Sequence, residues 1–497
     1  MIKKFFSSLE RHHILVFIVL LFVFVMRFPS LFEPFWYGDE GIFAAVAKNL
    51  THGGVLYKTA WDNKPPMIYL TYAAIFDAFG VSMFWLRVVT AIVVLCTAAT
   101  VYEIGQIIFG RNRAVVATII FGTLTSMRLI EGNLALTEIY MILPICLAMY
   151  IAVKRNFSSS ALAVSGLLFA IASLYKQVGA FEAGALGLFM LLSGKSIFEF
   201  VKRGFALTLG FTIPFIVTIL YFASHGIVDE YIFGAYGYYK IYLGESPQYA
   251  ALLNVSKYVP ILAAFGYGLW KRKNKENIEV SYLLFLWAAF SFLGSYFSGR
   301  TYGHYLIQAA PAVSLLLASV KFDRLRLTVW RTVFIIVFCA PILFLTSFLF
   351  SNFLSGGPIN QLRWWQNFLE YSQGKKTVDS YNDFFDGNVN TIMALADSLK
   401  VNGAYGNSLY IWGDYPWLYA IDDAKNPSRY VTSFHVGGVP DGYAEVGDVL
   451  SANPPNYIIK PDSSIGYFDQ LEKLLIRKYT LQAKVGTAEV YLLRSDQ

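Results

Sequence analysis

The strongest restriction on how this chain can fold is the recurrence of apolar runs about as long as a bilayer is thick. A membrane-crossing helix needs roughly 20 consecutive apolar residues, and runs near that length fall at about 14–33, 83–109, 113–130, 134–153, 160–175, 177–193, 204–222, 250–270, 280–298, 304–320 and 330–352. These runs predict an α-helical polytopic membrane protein with about eleven transmembrane helices. Met67–Gly80 is short and follows Pro65-Pro66, so it is expected to lie in or re-enter the interface, with a twelfth span as the other reading. Composition fits the same class, since 56% of the 497 residues are hydrophobic and only 15% are charged, too apolar for a water-soluble globule. Cys96, Cys146 and Cys339 all lie inside apolar runs, a placement that builds neither a disulfide framework nor a CxxC metal site.

Charge placement sets the expected topology. Lys3-Lys4 and Arg11 precede the first run, which ends in Arg27-Phe28-Pro29 without a small-residue cleavage site, so this run reads as a retained signal anchor. With the N-terminus inside, the inner loops carry Arg111/Arg113, Lys154/Arg155, Lys195/Lys202/Arg203, Lys271-Arg272-Lys273 with Lys275, and Lys321/Arg324/Arg326/Arg331. Every inner loop is then basic, as positive-inside sorting requires. Asp39, Glu40, Lys64, Arg128, Glu131, Glu138, Lys176, Arg300 and His304 fall on the outer side. The predicted location is the inner or plasma membrane.

From Leu354 the character changes. Twelve Lys and Arg stand against sixteen Asp and Glu there, leaving 28 against 17 in the membrane part; that excess suits loops facing an anionic leaflet, and no basic cluster interleaved with aromatics suggests nucleic acid. Turns at Ser355–Pro358, Asp386-Gly387-Asn388 and Asn453-Pro454-Pro455 separate strand-like runs at Leu409–Trp412, Tyr457–Ile459 and Glu489–Leu493 from helix-like ones at Val389–Lys400 and Tyr467–Lys478. The expected organisation is a membrane domain over residues 1–353, with an outer loop at 34–82, and an extracytoplasmic α/β domain over 354–497.

Candidate chemistry concentrates where charge is costly. Asp39 and Glu40 open a predicted amphipathic helix, Asp39–Leu50, with Ile42, Phe43, Val46 and Leu50 on its apolar side; acids also simply favour a helix N-terminus. Asp62-Asn63-Lys64-Pro65-Pro66 follows one loop later. Pro65 biases Lys64 toward extended backbone and neither proline has an amide hydrogen, so the cation is stiffly held, as an anchor for a phosphate must be; a lysine snorkelling to headgroups is the plain alternative. Glu131 and Glu138 flank the start of the fourth run, and Glu138 sits about a turn inside it, where a carboxylate needs a use or a partner such as Arg128. Lys176 interrupts two apolar runs, and Arg300, Tyr302, His304 and Tyr305 head the tenth. These are candidate ligands for phosphate or pyranose groups, or solvated charges at helix ends. No Walker loop, GxSxG elbow or HExxH helix is present.

Taken in order, Gly38-Asp39-Glu40-Gly41, Asp62-Asn63-Lys64-Pro65-Pro66, Leu136-Thr137-Glu138-Ile139-Tyr140, Lys176-Gln177, His304-Tyr305 with Pro311, Ser428-Arg429-Tyr430 and Pro454–Ile459 resemble the GT-C glycosyltransferase superfamily, in the bacterial branch of the lipid A aminoarabinose transferase and the protein O-mannosyltransferases. The resemblance spans essentially the whole chain. It implies inverting transfer of a sugar from a polyprenyl-phosphate carrier to a lipid, glycan or protein acceptor outside the membrane. Asp39 would be the base on the acceptor hydroxyl and Lys64 a contact to the donor phosphate, with Glu40, Asp62, Glu138, Lys176, Arg300, His304 and Tyr305 as substrate-binding residues. Asn63 stands where the family often has an acid, and Glu138 where Asp is common. No cofactor is required by this chemistry, and a divalent cation is left open. A secondary transporter or lipid flippase is the reading from another class, expected to show mid-bilayer charges and often an internal repeat; a non-catalytic membrane scaffold is a third.

Overall fold

The computed structural model describes residues 11–194, 196–244, 255–300, 302–320, 329–353, 359–401, 406–461 and 466–494. Lys3, Lys4, Lys195, Lys321, Arg324, Arg326 and the turn Ser355–Pro358 lie outside the described residues. In chain order the principal helices begin with α1 (Arg11–Arg27), α2 (Gly38–Thr51), α3 (Met67–Phe79), α4 (Met83–Phe109), α5 (Arg111–Leu124), α6 (Thr137–Lys154) and α7 (Ser159–Tyr175). They continue with α8 (Phe181–Ser193), α9 (Ile197–Ser224), α10 (Val259–Lys273), α11 (Ser281–Ser295), α12 (Ala310–Ser319), α13 (Val329–Phe353), α14 (Ile359–Ser372) and α15 (Val389–Val401). The last are α16 (Ser433–Gly438), α17 (Gly442–Ala452) and α18 (Asp469–Lys478), with strands β1 (Leu409–Ile411), β2 (Tyr457–Lys460), β3 (Tyr479–Val485) and β4 (Ala488–Leu493).

The chain forms two compact units, one of Met1–Ser30, Val88–Tyr221 and Tyr242–Arg363, the other of Leu31–Arg87, Phe222–Ile241 and Trp364–Gln497. Among the described residues, Ile14–Phe32, Met83–Phe109, Thr137–Lys154 and Ile197–Ser224 are long and apolar enough to cross a membrane, and shorter apolar helices include Ser159–Tyr175, Gln177–Ser193 and Ser281–Ser295. Large apolar side chains point outward along α1 (Phe17, Ile18, Leu21) and α9 (Phe205, Leu209, Val217, Leu220). Surfaces of this extent demand a lipid solvent.

In the first unit a continuous core runs through Ile139, Ile145 and Met149 of α6, Leu162 and Phe169 of α7, Leu186 and Phe189 of α8 and Leu286 and Trp287 of α11. Lipid tails give helices no hydrophobic reason to associate, so small residues that admit close backbone approach matter more. Gly166 of α7 and Gly210 of α9 do this reciprocally, because a Cβ on either would collide with a backbone carbonyl of the other helix. At the end of α1 the buried Arg27 guanidinium donates to the carbonyl oxygens of Thr125 and Gly132, both at 2.5 Å, and so fixes the turn that carries Glu131. Lys176 separates the runs at 160–175 and 177–193 as expected, and two of the expected spans open with a 3-10 turn. Lys176 is extended (φ −154°, ψ 133°) and is followed by a 3-10 turn, Gln177–Ala180, before α8; the run at 304–320 likewise opens as a 3-10 helix, Gly303–Ala309, ahead of α12. Pro311 near the start of α12 suits a helix beginning there, since its missing amide hydrogen would have no partner in a first turn.

The second unit contains a four-stranded sheet of order β1-β2-β4-β3, with β1 and β2 parallel and the other pairs antiparallel. The expected elements of the C-terminal region are all present near their expected bounds, and β3 is an addition. Its sequence alternates apolar Tyr479, Leu481, Ala483 and Val485 with polar Thr480, Gln482 and Lys484, the period-two pattern of a strand, and it pairs with β4 in a hairpin across Gly486, whose φ of +56° favours glycine. Segments distant in sequence close the unit. Trp61 N–H donates to Arg429 O at 2.8 Å, Trp417 Nε1 donates to Tyr37 O at 3.0 Å, and Gly41 packs so tightly on Pro416 and Trp417 that a Cβ would lie within 2.9 Å of either.

The predicted helix at Asp39–Leu50 forms as α2, and a buried charge network sets its start. Arg87 of α4 pairs with Glu40 Oε1, donates to Glu40 Oε2 at 2.8 Å and reaches Glu33 Oε2 at 3.2 Å. Glu33 Oε1 in turn accepts from Trp364 Nε1 at 2.9 Å. Arg87→Met leaves two buried carboxylates without the cation between them and should destabilise the protein by about 3–5 kcal/mol. The purified variant should melt well below wild type, with Glu40→Gln added in the same chain recovering part of the loss; an unchanged melting temperature contradicts the role given to Arg87.

A second test concerns pH. Burial pushes the Asp422 carboxyl up to about 7, Lys400 opposing and Asp397 adding to the shift, and among the described residues neither carboxylate oxygen has a hydrogen-bond partner. A carboxyl raised in the folded state contributes stability below its unfolded value of about 4, and the contribution is lost as pH rises through the folded value. Asp422→Asn should therefore leave the melting temperature unchanged near pH 4 and raise it at pH 8; equal melting at pH 8 would refute the assignment.

Candidate active site

In the second unit the sequence dictates an acidic turn followed by a stiff cationic loop, and the fold brings them together. Asp39 lies in the first turn of α2, where the helix dipole favours an anion. Its side chain is 38% exposed, and its Oδ2 is 3.6 Å from Lys64 Nζ. Successive helix residues point about 100° apart, so the neighbouring Glu40 turns inward to Arg87 and is fully buried. The adjacent acids thus have separate environments.

Lys64 is held from three directions. Tyr57 OH donates to its carbonyl oxygen at 2.7 Å, the Phe43 ring lies 4.8 Å from its ammonium, and Asp62 Oδ2 faces it at 3.8 Å. Asp62 itself is fully buried. Its Oδ2 accepts from Tyr69 OH at 2.6 Å, and its Oδ1 accepts from Asn63 N–H at 2.7 Å and lies 3.2 Å from His435 Nε2. Burial alone would push the Asp62 carboxyl up, but Lys64 and the bonds from His435 and Tyr69 outweigh it and hold this group well below the usual carboxylate range. The Lys64 ammonium stands between Asp39 and Asp62. Among the described residues no group of three or more His, Cys, Asp or Glu is arranged to hold a metal ion.

The first unit holds a second cluster. Glu138, in the first turn of α6, accepts from Thr137 Oγ1 at 2.8 Å and from Lys176 Nζ at 2.5 Å. Lys176 lies 3.6 Å from the centre of the Tyr305 ring, in cation–π contact. His304 bonds Glu131 through Nδ1 and places Nε2 at 3.9 Å from Glu138 Oε1; Tyr302 stacks on its ring with centroids 5.6 Å apart. Glu131 is in left-handed backbone, φ +55°, closing the turn Arg128–Ile130. Glu138 thus meets Lys176. Arg300 follows Gly299, and its backbone amide donates to Ser298 Oγ at 3.3 Å.

Sequence reasoning missed several members of these networks. Arg87 was legible in principle, being a lone cation inside the apolar run 83–109. His435 and Tyr69 carried no signal, because one is a single histidine in a polar region and the other a tyrosine among aromatics.

Residues 63–222 match the family model described as dolichyl-phosphate-mannose-protein mannosyltransferase. No curated protein matches the chain. Among solved structures, ArnT from Cupriavidus metallidurans bound to undecaprenyl phosphate superposes with a TM-score of 0.58 at 14% identity, over 96% of this chain and 97% of that one. Its apo state gives 0.58 at 15% identity with the same coverage. The archaeal oligosaccharyltransferase AglB from Archaeoglobus fulgidus reaches a TM-score of 0.45 at 12% identity, over 98% of this chain and 74% of that one. The chain therefore has the GT-C fold of ArnT along nearly its whole length, with a small sheet in its C-terminal part.

Proposed function

We propose that this protein is an inverting glycosyltransferase that moves a sugar from a polyprenyl-phosphate carrier to a lipid, glycan or protein acceptor outside the membrane. The observation that carries the reading is the Asp39–Lys64 pair: a part-exposed carboxylate and an ammonium 3.6 Å apart on a loop whose backbone is stiffened by two prolines. The match over residues 63–222 to a mannosyltransferase family model and the undecaprenyl phosphate bound by a protein of the same fold support it.

The chemistry follows from the charges. The acceptor oxygen attacks the anomeric carbon from the face opposite the phosphate, so a new C–O bond forms as the bond to the phosphate oxygen breaks. The Asp39 carboxylate takes the proton of the acceptor hydroxyl. The electron pair of the broken bond goes to the lipid phosphate, whose growing negative charge the Lys64 ammonium stabilises. Lys64 meets Asp39 and Asp62 at 3.6 and 3.8 Å. Lys176 is engaged with Glu138 at 2.5 Å. We assign Glu138, Lys176, His304, Tyr305 and Arg300 to substrate binding, and Asp62 and Glu40 to holding Lys64 and the start of α2.

The same reading places the N-terminus in the cytoplasm, residues 1–353 in a membrane domain with the outer loop 34–82, and residues 354–497 in an extracytoplasmic domain. The basic inner loops of the sequence support this orientation.

With purified enzyme and a radiolabelled polyprenyl-phosphate sugar, Asp39→Asn should lower transfer by about 10²–10⁴-fold with an unchanged melting temperature, and Lys64→Ala should raise the KM for the donor far more than that for the acceptor. A near-normal rate for the Asp39 variant removes the proposed base. Orientation has its own check: a cysteine at the exposed Gln373 should react with an impermeant thiol reagent on intact cells, and labelling only after lysis would reverse the topology.

A further inference from the structure

The chemistry above gives no part to His435, yet its residue is 2% exposed and its ring points at the carboxylate beside Lys64. Because Asp62 only accepts, His435 Nε2 carries the hydrogen across the 3.2 Å contact to Oδ1. The ring is wedged edge-to-face against Trp61, centroids 5.1 Å apart. Its backbone is fixed at the start of α16, where its N–H donates to Thr432 Oγ1 at 3.4 Å.

We propose that His435 is a positioning residue for the Lys64 ammonium, acting through Asp62, so that the C-terminal region takes part in binding the donor phosphate. The argument is one of torsions. A carboxylate turns easily about its last bond, and a lysine carries four rotatable bonds with no intrinsic preference for one placement. Asn63 and His435 hold one oxygen of Asp62, Tyr69 holds the other, and the second oxygen is thereby presented to Lys64. Without the imidazole donor the carboxylate plane is free to swing, and the ammonium loses one of the two charges that locate it. A histidine serving packing alone would not aim its nitrogen at the acid that faces the functional lysine.

The inference rests on Lys64 being the anchor of the donor phosphate, and the test separates the two. Full-length purified protein is titrated with undecaprenyl phosphate and with undecaprenol, and the ratio of the two dissociation constants isolates the phosphate. Wild type should prefer the phosphate by about ten-fold or more, a charge-assisted contact being the difference. Lys64→Ala should bring the ratio near one; if it does not, the anchor reading fails whatever His435 does. Given that effect, His435→Gln, whose amide nitrogen reaches the place of Nε2, should keep the ratio within about two-fold of wild type, whereas His435→Asn, whose amide falls short, should cut it about five-fold. A wild-type ratio for folded His435→Asn, with only its melting temperature lowered, overturns the proposal, and so does a Gln variant as poor as the Asn one. Should His435→Asn not fold, Asp62→Asn replaces it, and an unchanged ratio there overturns the link from His435 to Lys64.

Discussion

The arrangement of the second unit depends on one buried cation. Taking Arg87, Glu33 and Glu40 out of water costs several kcal/mol per charge, and the cost is offset only because the guanidinium meets both carboxylates and Trp364 completes the coordination of Glu33. The network fixes the rotation of α2 about its own axis. With Glu40 committed inward, Asp39 is necessarily turned away, toward Lys64. Two neighbouring acids of like chemistry thus divide their roles by helical geometry alone.

The two lysines illustrate the same logic of commitment. Lys176 is close to a carboxylate, lies over an aromatic ring and belongs to a chain of polar contacts from Glu131 through His304 and Glu138. Lys64 instead sits between carboxylates at longer range, with its backbone pinned by Tyr57 and two prolines. One lysine is part of a closed network, the other is presented by one.

Much of this was legible in the sequence, for physical reasons that also mark the limits. Apolar runs and their punctuation placed most helices, since the bilayer imposes a length on each; α2 emerged because its acids and apolar residues share a 3.6-residue period. The break at Lys176 was readable as a charge between two apolar runs, but the 3-10 winding of Gln177–Ala180 and Gly303–Ala309 was not, because an apolar run records hydrophobicity and not backbone winding. The approach of Asp39, Asp62 and Lys64 was foreshadowed by their common loop, and that of Glu138, Lys176 and His304 by their common face. The bond between His435 and Asp62 was not readable, because nothing local distinguishes a histidine that buries itself against a remote carboxylate. Strand β3, by contrast, was readable, since apolar and polar residues alternate from Tyr479 to Val485.

The clasp between Arg429 and the loop before Lys64 joins groups 372 residues apart, through a bond from the guanidinium to Tyr57 O. A ribosome adds residues in order, so the helices are threaded into the bilayer long before their last fastening exists. The loop around Lys64 must wait for this clasp, unfinished, until Arg429 has been made.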